Sequence, residues 1–285
     1  MHESLWSVAR LRAALDTRDL RIVDVRWYLG EPGRGQREYL AGHVPGAVYL
    51  DIDTDLSGPK GSGPGRHPLP TPAYFAEIAG RAGIDDTMQV VAYDAAGGAH
   101  AARLWWLLRW LGHPRVALLD GGWQAWLAAS GPTSELAPQV APTIFIPRPQ
   151  AGMIVDADAV DALRTDPHAL LLDARAGERY RGETEPIDAR AGHIPGARSA
   201  PFAGNLTADG MFATPDQLAE RFAVLGAATD RVASPLVCYC GSGVTATHNL
   251  FALHLAGRDD ALLYPGSWSD WSSDPARPVA MGNDR

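Results

Sequence analysis

Apolar residues recur along the chain in two alternating patterns. Runs at 21–25 (RIVDV), 89–93 (QVVAY) and 116–119 (VALL), and again at 169–172, 236–239 and 261–263, are nearly continuous and rich in β-branched residues. Continuous runs of four or five such residues read as strands buried on both faces. Between them lie longer segments of helical period, AARLWWLLRWLG (101–112) and VTATHNLFALHLAG (244–257), each closed by a glycine at the C-cap position. Trp105, Trp106 and Trp110 fall at helical spacing among leucines, which assigns them to core packing rather than to an aromatic cage. The N-terminal MHESLWSVARLRAAL reads as an amphipathic helix. Strand alternating with helix predicts an α/β fold in which each parallel sheet carries helices on both faces, with ligands at the C-terminal strand ends.

The pattern occurs twice. LAGHVPGAVYLD (40–51) is answered by RAGHIPGARSAPF (190–202), VVAYDAAGGA (90–99) by LVCYCGSGVT (236–245), and LLDGGWQAW (118–126) by LLYPGSWSDW (262–271). Three landmarks in the same order, roughly 150 residues apart, indicate a duplicated domain; a solenoid would repeat every ~20 to 50 residues. The Pro/Gly-rich stretch between the copies has no helical period and reads as a linker. The expected organisation is a first domain at 1–130, a linker at 131–152 and a second domain at 153–285.

A net charge of −8 argues against non-specific nucleic-acid binding, which needs a basic surface to displace counterions. No apolar run approaches the ~20 residues of a membrane span, and the N-terminus lacks the basic start, apolar block and cleavage site of a signal peptide. Cys238 and Cys240 are the two cysteines, too few for a disulfide framework, so a reducing, cytoplasmic setting is expected. The histidines have no HExxH or CxxC company, and the glycines of GPKGSGPG lack a Gly-Lys-Ser/Thr ending, so neither a metal nor a nucleotide site is expected.

Chemistry concentrates where the copies differ. Cys240 stands where the first copy has Asp94, at the end of a strand and before a loop expected over 240–243 with a helix from about Val244. Glycines let backbone N–H groups turn inward there, and the helix dipole adds positive potential, so a thiolate or persulfide anion is stabilised. Cys240 is therefore the candidate nucleophile. Cys238, inside the apolar strand, reads as core filler rather than a resolving thiol. A cysteine phosphatase would need an arginine six positions after the cysteine, and that position is Ala246.

Two GHxPGA segments, an acidic residue in the cysteine position of copy one and the loop CGSGVTA in copy two together resemble the tandem-domain rhodanese sulfurtransferases over nearly the whole chain. Within them the loop resembles that of members acting on 3-mercaptopyruvate; members acting on thiosulfate carry basic residues after the cysteine, as a dianion requires. The resemblance implies a catalytically silent first domain and a second domain that moves sulfane sulfur from a small-molecule donor, 3-mercaptopyruvate or alternatively thiosulfate, through a Cys240 persulfide. The acceptor would be cyanide or a thiol such as a thioredoxin-like protein, with no metal or organic cofactor. A persulfide carrier loaded by another protein and a non-catalytic binding module are the other readings.

The same resemblance assigns the remaining site residues. Arg179 matches the arginine that grips the donor carboxylate. A second arginine is absent from its usual place, where Ile187 and Asp188 stand, which leaves Arg190 or Arg181 to reach in. Asp53 and His67 match an acid/histidine pair meeting the loop serine, Ser242, as a relay that orients the donor and handles a proton; the alternative is that Asp53 caps a turn and His67 lies on a Gly/Pro-rich loop. Gly241, Gly243, Val244 and Thr245 complete the loop expected to bind the donor. His43 and His193 recur in both copies and read as structural, and His248 as packing within the helix.

Overall fold

The computed structural model describes residues 3–228 and 235–283, which divide into two compact units. The first contains β1 (Leu5–Trp6), α1 (Val8–Ala14), β2 (Leu20–Asp24), α2 (Arg34–Ala41), β3 (Val48–Tyr49), α3 (Pro72–Arg81), β4 (Gln89–Tyr93), α4 (Ala101–Trp110), β5 (Val116–Leu119) and α5 (Gly122–Ala128). Its strands form one parallel sheet in the order β1-β5-β4-β2-β3. The second unit contains α6 (Ala157–Leu163), β6 (Leu170–Asp173), α7 (Gly177–Tyr180), β7 (Arg198–Ser199), α8 (Pro215–Val224), β8 (Leu236–Tyr239), α9 (Ala246–Leu255), β9 (Leu262–Leu263) and α10 (Ser267–Trp271). Its sheet, again parallel, runs β7-β6-β8-β9.

The runs at 89–93, 116–119 and 236–239 coincide with β4, β5 and β8, the expected strands at 21–25 and 169–172 shift by one residue, and that at 261–263 starts one residue later. The N-terminus differs from expectation: Leu5 and Trp6 pair with Leu118 and Leu119 as a strand before Ser7 caps α1, its hydroxyl accepting from the Arg10 N–H. A parallel edge pairing with β5 outcompetes one further helical turn there. The second copy keeps only a trace of that strand, a bridge between Ile154 and Leu263.

Each unit buries an aromatic-rich core on one side of its sheet. In the first, Tyr93, Val91, Leu119 and Trp126 pack together; in the second, Tyr239, Val237, Tyr264, Trp268 and Trp271 do so. Trp126 donates to the Pro132 carbonyl and Trp271 to that of Pro278, the same anchor built twice. Helices α4 and α9 are buried over most of their circumference, as helices lacking a polar face must be. Trp105 and Trp106 are in the core, with Trp110 stacked on Trp106 at 5.6 Å.

Three segments depart from the order of the copies, one of them residues 208–211 of the second copy, which fold with the first unit. The connecting stretch packs on the first unit up to Gln150: the Thr143 N–H bonds to the Gly80 carbonyl, and Phe145 meets Phe75 edge to face at 5.9 Å. Residues 59–69, carried in sequence by the first copy, fold with the second unit.

Candidate active site

Strand β8 ends at Tyr239 and hands the chain to Cys240, the first residue of a loop that continues through Thr245; α9 begins at Ala246, two residues later than the periodicity implied. Cys240 is only 2% exposed. Its N–H donates to Ser267 Oγ at 3.1 Å, its carbonyl accepts from the Trp268 N–H at 2.9 Å, and its Sγ accepts from the Gly243 N–H at 3.2 Å. That last contact requires glycine: residue 243 has φ +77°, and a Cβ there would stand 2.4 Å from the Pro265 carbonyl oxygen. Gly241 lends its carbonyl to the Ser269 N–H, and the Val244 carbonyl accepts from Thr247. Val244 is buried and Thr245, half-buried, occupies the N-cap of α9.

The first unit shows what a loop of this kind does with a negative charge. Asp94 follows β4 as Cys240 follows β8, and its carboxylate is fully buried. One oxygen accepts from the N–H groups of Ala96 and Gly98 at 2.7 and 2.9 Å, the other from those of His100 and Ala101 at 2.7 and 2.8 Å. Four inward N–H groups before and at the start of α4 thus satisfy both carboxylate oxygens, with no ion pair to Asp94 among the described residues.

Ser267 adds a device that the first unit lacks. It has φ +54°, a region costly for any residue with a Cβ, at the position where the first copy has Gly122 with φ +55°. Its hydroxyl donates to the Tyr264 carbonyl while accepting the Cys240 N–H, so the strained residue fixes the backbone of the thiol. Ser267→Ala keeps the strain and orphans a buried N–H, a loss of about 1–3 kcal/mol. Ser267→Gly loses the same bond but relieves about 1–2 kcal/mol of backbone cost. In urea titrations the alanine variant is therefore expected to be the less stable of the two.

Beside the loop, His67 Nδ1 lies 2.7 Å from Ser242 Oγ, with both residues buried. His67 belongs to the 59–69 segment, which is fixed here by the Arg66 N–H donating to Ser269 Oγ and by Gly65, where a Cβ would meet the Gly266 carbonyl oxygen at 2.5 Å. Asp53 lies in the first unit, where its Oδ2 accepts from the Trp27 indole N–H at 2.8 Å. The turn around it is capped instead by Asp51, whose Oδ1 accepts the N–H groups of Asp53 and Thr54.

A ladder of alternating charges reaches the loop from the sheet. Buried Asp173 holds Arg175 through two oxygens, Arg175 reaches Glu185, Glu185 accepts from Arg179 at 2.6 Å, and Arg179 donates to Asp188 Oδ2 at 3.0 Å. Asp188 Oδ1 in turn takes Arg66 Nη1. A Cβ on Gly241 would stand 3.2 Å from Arg66 Nη2 and 3.5 Å from Arg179 Nη1, so two guanidinium groups lie over the residue that follows the thiol. Burial lowers the Arg66 pKa from its usual value, against the opposing pull of the negative charge of Cys240.

Arg190 corrects the expectation placed on it. Its guanidinium bonds the carbonyls of Trp271, Ser272, Asp274 and Arg277 at 2.6–3.1 Å and ties down the chain after α10, so its donors are taken up away from the loop. Arg181 pairs with Glu183 at the surface. The arginine over the loop that the sequence reading did not single out is Arg66, and its one signal was adjacency to His67. Cys238 is fully buried and burial raises its thiol pKa, as suits core filler. His43 and His193 bond the carbonyls of Tyr39 and Tyr180 and stack on those rings, a structural pairing repeated in both units. His248 is buried against Phe212 at 4.7 Å and bonded to Asn205.

Residues 7–129 and 156–274 each match the rhodanese-like domain. The chain belongs to the rhodanese family. Among its rhodanese relatives, a Pseudomonas aeruginosa protein carrying the name probable 3-mercaptopyruvate sulfurtransferase is 48% identical over 281 residues, 98% of each chain. The thiosulfate sulfurtransferase of Cricetulus griseus is 32% identical over 286 residues, 97% of this chain and 94% of its own. The crystal structure of SseA from Escherichia coli, a rhodanese-fold protein, superposes with a TM-score of 0.82 at 31% identity, covering 93% of this chain and 98% of its own.

Proposed function

We propose that this rhodanese is a sulfurtransferase that takes sulfane sulfur from 3-mercaptopyruvate onto Cys240 and passes it to a thiol or to cyanide. The observation that carries the reading is the Cys240 loop itself: a buried thiol receiving a backbone N–H, in the place where the first unit's loop holds the Asp94 carboxylate with four such groups. A site that accommodates a carboxylate without a cation suits a thiolate and, one atom further out, a persulfide anion.

The Cys240 thiolate attacks the donor sulfur. An S–S bond forms, the C–S bond breaks, and its electron pair stays on carbon as the enolate of pyruvate, which then takes up a proton. An incoming thiolate or cyanide attacks the outer sulfur, and Cys240 leaves as the thiolate again. The sequence is ping-pong, and sulfur is the only group carried. Ser242 and His67, 2.7 Å apart, are suited to orient the donor carbonyl and to deliver the proton, with Asp53 as the proposed third member of the relay. Gly241, Gly243, Val244 and Thr245 form the wall around the transferred sulfur, and Arg179 binds the donor carboxylate. The first domain, with Asp94 in the cysteine position, carries no sulfur. A thioredoxin-like dithiol in the cytoplasm is the acceptor class that fits a mechanism ending in attack on a persulfide.

Charge separates the two donors. The loop has no cation of its own, and the two guanidinium groups over it are each bonded to a carboxylate, Arg179 to Glu185 and Asp188, and Arg66 to Asp188. That balance favours a singly charged carboxylate donor over the thiosulfate dianion. The test is kcat/KM for both donors with cyanide and with a dithiol as acceptors. A preference for 3-mercaptopyruvate of at least about tenfold, some 1.4 kcal/mol in transition-state binding, is expected. A preference for thiosulfate would refute the donor assignment, and turnover with neither would favour a carrier loaded by another protein.

A further inference from the structure

Arg66 has no role in the chemistry derived so far, yet it is held as firmly as the residues that do. It sits on the segment 59–69, its backbone N–H is tied to Ser269 Oγ, and its guanidinium shares Asp188 with Arg179, one arginine on each carboxylate oxygen. Asp188 is 3% exposed and is itself positioned by its N–H donating to Glu185 Oε1 at 3.0 Å. The Arg66 side chain remains 31% exposed.

Two guanidinium groups brought together repel unless an anion lies between them, and Asp188 supplies that anion on one side. Both groups pack against Gly241, the residue after Cys240, where a Cβ would stand 3.2 Å from Arg66 Nη2 and 3.5 Å from Arg179 Nη1. A carboxylate arriving from the exposed side of Arg66 would span Arg66 and Arg179 as Asp188 spans them from behind. It would also place the rest of a three-carbon donor next to Cys240, the residue before Gly241.

We infer that Arg66, held by Asp188, is the second arm of a clamp that with Arg179 receives the carboxylate of the donor, and is thereby a specificity-determining residue. The assignment rests on the reading of 3-mercaptopyruvate as donor. It explains how the site works with Asp188 where the resemblance led one to look for an arginine: the carboxylate at 188 recruits an arginine from 122 positions earlier in the chain.

The test compares two donors differing only in the group that the clamp would hold, 3-mercaptopyruvate and mercaptoacetone, in which a methyl replaces the carboxylate. Both lose sulfur in the same way, leaving the enolate of pyruvate or of acetone. Arg66→Met is expected to lower kcat/KM for 3-mercaptopyruvate by about tenfold to a hundredfold, the value of a charge-assisted hydrogen-bond pair. The fall for mercaptoacetone should be at least about tenfold smaller, because only the coulombic coupling of Arg66 to Cys240 is shared by the two donors. Arg66→Lys, which keeps the charge but loses the fork, is expected to fall between and carries the test if the methionine variant fails to fold. An equal fall for both donors would mean a structural role, and no fall for either would mean no role; each overturns the inference. If the parent protein takes sulfur from neither donor, the proposed function fails instead, and the two failures are distinct.

Discussion

Cys240→Ser loses sulfur transfer from every small donor to every acceptor, by roughly ten-thousandfold or more, while the protein stays folded. A serine hydroxyl is not ionised near neutrality and forms no bond to sulfane sulfur, so the first half-reaction has no nucleophile. The fold should tolerate the change: the side-chain oxygen still accepts the Gly243 N–H that now points at Sγ, and the Cys240 N–H and carbonyl keep their bonds to Ser267 and Trp268. A urea midpoint shifted by less than about 1 kcal/mol is the expected control. Steady-state assays with cyanide and with a dithiol read the loss directly. Retained activity with either acceptor would transfer the chemistry to another residue; Cys238 is a poor substitute, being fully buried in β8 with its thiol pKa raised by that burial.

The second large effect falls on stability, in the first unit. Asp94→Ala strips the acceptor from four N–H groups, those of Gly98 and Ala101 buried and those of Ala96 and His100 half-buried. Each orphaned buried donor costs about 1–3 kcal/mol, less whatever water restores, so a loss of about 3 kcal/mol or more is expected in urea or thermal unfolding. Asp94→Asn should recover little, because the amide opposes one pair of N–H donors with its own NH2 group. A loss below about 1 kcal/mol in both variants would mean that the loop does not depend on an anion, and would remove the comparison from which the persulfide cradle around Cys240 is argued.

Much of this architecture was legible in the sequence because of how parallel sheets are built. Strands covered on both faces leave uninterrupted apolar runs, and β4, β5 and β8 were readable to the residue for that reason. The duplicated GHxPGA and tryptophan landmarks carried the two-domain organisation, and their histidines and indoles make matching bonds in both units. Strand β1 was not legible: two residues have no period, and Leu5 and Trp6 extend the apolar face of the helix that follows. The first turn of α9 was misplaced because Val244 and Thr245 fit the helical pattern but serve the loop.

Motif and resemblance singled out Cys240, Ser242 and His67 as candidates, and the structure brings Ser242 and His67 into contact across 175 positions of sequence. Arg66 and Arg190 show the limit. A guanidinium finds its partners at the end of a long side chain, and nothing local to position 190 reveals that four carbonyls of residues 271–277 wait for it. Arg66 lies in a Gly/Pro-rich stretch with no periodicity, and its importance becomes visible only once that stretch is seen to fold with the second unit and to meet Asp188.

The central claim is that Cys240 itself carries the sulfur. Its most direct test is intact-mass analysis after mixing the protein with 3-mercaptopyruvate in the absence of an acceptor, with peptide mapping of the product. The account predicts a gain of one sulfur atom per chain, located on the peptide containing Cys240, accompanied by an equivalent amount of pyruvate and removed by cyanide as thiocyanate. Pyruvate released with no sulfur on the protein, or sulfur retained by the Cys240→Ser variant, would contradict it.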